Sequence, residues 1–306
     1  MSALSLALHF IRREIRSRFG LPDFEGQLFI HVIGAAGHDV VKYALDLFEE
    51  DGASLSCTHD ANAWPADFYA GLPAPRDDET VILWLQNSLP ISIPAGGIQV
   101  NPMGDDRIVP FPREIAPFAT LPLDVAELLP RARWPRQIEI RAGRYIVRPR
   151  YEVVRDGRRR IAHPNVERID LKPEPEIAKL TPLLGKGFIL PAPLLPPGRW
   201  KSLLLPTPMA TTQAVLPVLA TLYDPAGRVL GTHRFGRLAR RDSVSLDLDA
   251  MLGSARPEFG HVELSYDFDA GDEADGWLHA LFRYEDRASG HAAETSFGSH
   301  IFNTAL

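Results

Sequence analysis

One supersecondary unit is written three times along this chain, and that repetition limits what it can fold into more than any other feature. The run Gly26-Gln27-Leu28-Phe29-Ile30-His31 leads into residues 40–48, the turn Glu49-Glu50-Asp51-Gly52 and the end Cys57-Thr58-His59-Asp60. The same order returns as Arg136-Gln137-Ile138-Glu139-Ile140-Arg141, residues 145–154, Arg155-Asp156-Gly157 and Ile161-Ala162-His163. It returns once more as Gly260-His261-Val262-Glu263-Leu264-Ser265, residues 277–284, Glu285-Asp286-Arg287 and Ser289-Gly290-His291.

The later copies extend further back. In the last, residues 217–223, the turn Asp224-Pro225-Ala226-Gly227 and residues 228–235 read as a hairpin, followed by a strand over 243–249. Residues 91–100, Asn101-Pro102-Met103-Gly104, 107–111 and 120–125 hold the same places in the middle copy. The first copy offers only Leu4-Ser5-Leu6-Ala7-Leu8 for the last of these strands, so the chain reads as starting inside a repeat. Either an N-terminal extension is missing, or the repeat is short and its open strand edge invites another chain or a second copy of this one. Phe10, Ile11, Ile15 and Phe19 fall near helical spacing, which predicts a short basic helix over 9–19.

Elsewhere the pattern is that of strands. Apolar residues occupy every second position in Val244-Ser245-Leu246-Asp247-Leu248-Asp249, and again at Val262, Leu264 and Tyr266. That period gives each sheet one buried face. Twenty-seven prolines argue against long helices and for loops and edge strands. The expected class is all-β, as tandem antiparallel β-sandwich repeats with the first incomplete. The expected partition is an incomplete repeat over 1–75, a second sandwich over 76–171, a proline-rich linker over 172–198 and a third sandwich over 199–306.

Composition excludes several function classes. With 45% hydrophobic and 24% charged residues, the 306-residue chain is globular rather than disordered. A net charge of −6 gives no general footprint for nucleic acid, and the basic run 155–160 reads as a solvated hairpin end. No apolar run approaches the about 18 residues needed to span a bilayer. A single cysteine, Cys57, rules out an intrachain disulfide framework and fits a reducing compartment. The stretch before Ile11 lacks the basic leader of a signal peptide, so the cytoplasm is the expected location.

Two short runs of the last copy carry a family resemblance. Leu238-Ala239-Arg240-Arg241 follows a hairpin and leads into a strand, and Arg283-Tyr284-Glu285-Asp286-Arg287 ends a later one. Through them this third of the chain resembles the small β-sandwich of the sensory rhodopsin transducer family. The resemblance implies an oligomeric, cytosolic binding or signalling sandwich without catalysis. The middle copy departs from it, having Ala116-Pro117-Phe118-Ala119 in place of the paired arginines.

Candidate chemistry gathers after the repeated hairpins. The copies carry His59, Asp60 and Asn62; His163, Asn165 and Glu167; and His291 and Glu294, each an imidazole closely followed by a carboxylate or amide. Such groups orient a polar ligand or cap a turn, and a histidine copied by duplication is expected to serve the fold first. Trp64 and Tyr69, in a loop with Asp60, Asn62 and Asp67, add aromatic rings suited to stacking on a sugar, whereas Trp84 and Trp277 read as core. His31, His38 and His59 with Asp39 and Asp60, or His279, His291 and His300 with Glu294, would supply metal ligands, but neither HExxH nor HxH spacing is present. There is no GxSxG elbow, Cys57 reads as a buried small residue, and Gly34-Ala35-Ala36-Gly37 precedes a strand rather than a helix.

These readings converge on a non-catalytic ligand-binding or protein-interaction sandwich without a cofactor. Its expected ligand is small and polar, with a glycan first. A metal-dependent enzyme using the same His and carboxylate loops is the first alternative, and a structural subunit docking through the incomplete repeat is the second.

Overall fold

The computed structural model describes residues 12–21, 44–48, 55–59, 65–167, 190–209, 215–267, 269–270 and 275–302. The chain divides into two compact units, Met1–Ile33 and Gly34–Leu306. In the first, the helix α1 (Arg12–Phe19) stands where the apolar spacing predicts one, with Arg16 and Arg18 in its last turn, where cations suit the helix dipole. Gly20 closes it at a φ of 61°.

The second unit opens with the antiparallel hairpin β1 (Ala44–Phe48) and β2 (Leu55–His59). A complete sandwich follows. Its strands are β3 (Phe68–Pro73), β4 (Thr80–Gln86), β5 (Gln99–Pro102), β6 (Val109–Pro110), β7 (Thr120–Asp124), β8 (Gln137–Arg141), β9 (Arg150–Arg155), β10 (Arg158–Ala162) and β11 (Asn165–Val166). The single-turn helix α2 (Val125–Leu128) follows β7, its N-cap Asp124 accepting from the Ala126 amide. These strands form the sheets β10-β9-β4-β7 and β11-β3-β8-β5-β6.

The second sandwich comprises β12 (Leu190–Leu194), β13 (Trp200–Pro208), β14 (Val215–Tyr223), β15 (Val229–Ala239), β16 (Leu246–Asp247), the helix α3 (Asp249–Leu252), β17 (Gly260–Tyr266), β18 (Asp275–Asp286) and β19 (Ala292–Phe302). Its sheets are β19-β18-β13-β16 and β12-β17-β14-β15. Apart from β11, every strand stands in the same order as its counterpart in the first sandwich, with a helical turn at the equivalent point. The protein is all-β, and among the described residues every strand pairing is antiparallel.

Alternation builds both cores. Val81, Leu83 and Leu85 of β4 face inward against Val100, Ile138, Ile140 and Val153, while Trp84 falls on the outer, half-buried face rather than in the core. In the second sandwich Val218, Ala220 and Leu222 meet Val262, Leu264, Leu278 and Phe282. Each large apolar side chain so buried contributes about 1.5–3 kcal/mol.

Two boundaries differ from the sequence partition. Residues 68–73, assigned to the incomplete first repeat, form β3, which pairs with β8 inside the first complete sandwich. Leu190–Leu194, assigned to the linker, pairs with β17 as an edge strand. Its prolines 191 and 193 point outward while Ala192 and Leu194 are buried, the arrangement an edge strand permits. The rest of the proline-rich stretch, 172–189, lies outside the described residues.

The outer face of one sheet is also covered. Gln137 and Glu139, which alternate with core isoleucines in β8, are only 4% and 3% exposed because the second sandwich docks there, with Thr207 of β13 on Gln137 and Arg240 on Glu139. Gly104 makes part of this contact: at a φ of 70°, its Cα approaches the second sandwich so closely that a β-carbon would lie 2.6 Å from the Arg241 amide nitrogen.

Candidate functional site

The ends of β10 and β19, equivalent strands of the two sandwiches, meet at one end of this seam, and there the predicted residues of the second and third copies come together. Ser296 of β19 donates to the His163 carbonyl at 3.0 Å and accepts from Asn165 Nδ2 at 3.2 Å. Glu294 Oε1 lies 2.9 Å from Arg160 Nε and 2.6 Å from Arg283 Nη2, while Oε2 accepts from Tyr151 at 2.9 Å. Glu79 Oε1 closes the ring, 2.8 Å from Arg160 Nη2 and 3.1 Å from Arg283 Nη1. The Arg283 guanidinium carbon stands 3.7 Å over the Trp134 ring.

These four ionic side chains are at most 4% exposed, and their two positive and two negative charges balance. Burial pushes the Glu294 carboxyl up, but Arg283, Arg160 and the Tyr151 hydrogen bond outweigh it and hold it down at about 2. Burial beside Glu294 pushes the Tyr151 hydroxyl well above its ordinary range. Glu294, a sequence candidate for ligand binding, is thus an ion that ties the sandwiches together. His163 and Asn165 are buried in the same seam.

Tyr69 also lies inside. It is fully buried, donates to the Ile146 carbonyl at 2.9 Å, accepts from the Ala66 amide at 3.1 Å, and has its hydroxyl pushed up to about 12 by burial. Its position in β3 faces the core, so its ring is not open for stacking on a ligand. His59 closes β2, whereas Asp60, Asn62 and Trp64 lie outside the described residues, as do His31, His38 and Asp39. Among the described residues, no three of His, Cys, Asp and Glu come together as ligands for an ion.

Glu167, the remaining carboxylate of the predicted set, leads to an open cleft. Arg240, between β15 and β16, reaches across the seam to Glu167 Oε1 and to Glu139 Oε2, and also donates to the Met209 carbonyl at 2.8 Å. Burial pushes the Glu167 carboxyl up to about 8 against the pull of Arg240, with repulsion from Glu139 adding to the rise. Glu139 Oε1 in turn lies 3.1 Å from Arg141 Nε, which also donates to Asn101 Oδ1 at 3.1 Å.

Outside these pairs lies a cleft of about 380 Å³. Asn101, Glu139, Arg141 and Arg240 line it, Asp105 and Asp106 form its exposed acidic rim, and Phe68 supplies an aromatic wall. The Arg141 guanidinium carbon lies 5.5 Å over the Phe68 ring. Of these residues the sequence singled out only Arg240, through the family resemblance. A usable signal was the alternation Gln137-Ile138-Glu139-Ile140-Arg141, which sets charged groups on a face that another layer covers.

The fold and cleft define an all-β protein of two docked antiparallel sandwiches with a polar cleft beside their junction. No protein-family model and no curated protein matches the chain. Among solved structures it is similar to a biofilm-associated protein's BSP domain, at 9% identity and a TM-score of 0.22, over 90% of this chain and 62% of that one. It is also similar to a glycosyl hydrolase family 2 member from Bacteroides cellulosilyticus DSM 14838, at 8% identity and a TM-score of 0.18, over 76% of this chain and 28% of that one. A beta-D-glucuronidase from Dictyoglomus thermophilum gives 8% identity and a TM-score of 0.18, over 85% and 44% respectively. The chain thus spans less than two thirds of each, and likeness at this level bears on neither site nor activity.

Proposed function

We propose that the protein is a non-catalytic binding module and that its cleft takes a carbohydrate. The observation carrying this reading is the meeting of a half-exposed aromatic ring, two guanidinium groups and a carboxylate rim in one open cleft. The C–H face of a sugar ring stacks on Phe68, and its hydroxyls both donate to carboxylates and accept from guanidinium N–H groups. Binding is favoured over catalysis by Glu139, which is buried and paired with both Arg240 and Arg141 and so serves to orient the guanidinium groups of the cleft.

A glycan array followed by calorimetry on the best ligand tests this. Phe68→Ala should weaken binding about tenfold, the loss of one aromatic contact, and Asp106→Asn should weaken it further. A blank array, or a ligand held equally well by both variants, would overturn the carbohydrate reading. Elemental analysis of the purified protein addresses the metal-enzyme alternative, since a stoichiometric transition metal would move attention to the histidine loops.

A further inference from the structure

We propose a second site, separate from the cleft, that binds a tetrahedral oxyanion, the phosphate or sulfate group, between the tips of two hairpins. Asp156 and Gly157 have φ values of 50° and 75°, the left-handed pair of a tight two-residue turn. That turn sets Arg158 directly opposite Arg155, with Arg159 and Arg160 next along the strand. Like charges facing one another across a ladder are destabilising, so this run works against the hairpin that carries it.

Three of the four arginines have carboxylates to offset that cost. Arg155 Nε lies 2.8 Å from Asp78, Arg159 Nη1 lies 3.1 Å from Glu152, and Arg160 is held between Glu79 and Glu294. Arg158 has no ion pair among the described residues. It lines a groove of about 200 Å³ with Arg155, Arg159, Ser289 and His291. The opposite wall is the β18–β19 turn, fixed by the Gly290 amide on the Asp286 carbonyl at 2.8 Å and tied to the first hairpin by Arg155 Nη1 on the Gly290 carbonyl at 3.3 Å.

A guanidinium carries five donors, and an ion pair of the kind seen here engages one or two of them. Arg158 thus offers charge-assisted donors to the groove, beside the positive charges of Arg155 and Arg159, a setting that suits an oxyanion. An anion placed there supplies the negative charge that Arg158 lacks. His291, expected from the sequence to serve a polar ligand, belongs to this groove rather than to a site shared with Glu294.

Calorimetric titration of the full chain at low ionic strength, with inorganic phosphate, inorganic sulfate and glucose 6-phosphate as separate probes, tests the proposal. Saturable binding of an oxyanion is expected. Arg158→Ala should weaken it about tenfold, the loss of one charge-assisted hydrogen bond, and Arg158→Lys should weaken it less. Phe68→Ala should leave phosphate and sulfate binding unchanged, which separates this site from the sugar cleft. Glucose 6-phosphate binding more tightly than phosphate in Phe68→Ala would assign the group to a sugar ester, and equal binding there would assign it to the free ion. No saturable binding by any of the three probes, or unchanged binding in Arg158→Ala, would overturn the site.

Discussion

The imidazole of His279 lies directly over Gly71 across the seam between the sandwiches, so close that a β-carbon at position 71 would stand 2.2 Å from its Cε1. Gly71 also has a φ of 88°, which side-chain-bearing residues rarely adopt. Two separate constraints thus fix one glycine.

Gly71→Ala should destabilise the protein by about 3 kcal/mol, combining backbone strain with overpacking. Urea unfolding measures it. Adding His279→Ala should recover the overpacking part and leave the strain, so the two substitutions should be clearly non-additive. Simple additivity would mean that the side chain and the glycine do not press on one another.

His279 is fully buried, neither ring nitrogen has a hydrogen-bond partner, and burial drives its pKa down to about 3. The folded protein therefore binds fewer protons than the unfolded chain between pH 6.5 and 3. The stability this residue contributes is present above pH 6.5 and lost as pH falls, at about 1.4 kcal/mol per unit. Compared with the wild type, His279→Leu should be less sensitive to acid by about 2 kcal/mol between pH 7 and 5. Parallel stability curves for the two proteins would show that the imidazole is not held neutral.

Glu167 acts with the opposite sign. Its folded pKa is raised from 4.5 to about 8, so its contribution is complete below pH 4.5 and is lost as pH rises through about 8. Stability should decline from pH 6 to pH 8.5 in the wild type, and Glu167→Gln should flatten that decline. Denaturant melts at the two values check it. An unchanged slope in the variant would assign the decline to another group.

Glu294→Ala would leave Arg160 and Arg283 buried with a single carboxylate between them. The expected loss is about 3–5 kcal/mol, the cost of an uncompensated buried charge. Ligand binding in the Phe68 cleft should persist under conditions where the variant is folded. Full stability in Glu294→Ala, read by thermal unfolding, would remove Glu294 from the docking lock.

Much of the architecture was legible in local patterning because the period of two is written into each strand. The alternation in 261–266 foretold β17. Legibility failed where a face was decided by a distant partner. The strand expected over 243–249 shrinks to Leu246–Asp247 before the turn of α3. Phe68 and Tyr69 are adjacent aromatics, yet one walls a cleft and the other is core, since neighbours in a strand face opposite ways.

The sequence by itself determined the β class, through residue alternation and proline placement, and the short basic helix, through apolar spacing. Tertiary structure decided the sites. Arg283 and Glu294 become partners because the β18–β19 register sets them opposite one another, and Arg160 joins them only when the two sandwiches dock. Arg240 and Glu139 likewise stand 101 positions apart and meet across the seam. Charge pairing acts over a few ångströms of space rather than along the chain, so the same carboxylate reads as a ligand in the sequence and serves as a lock in the fold.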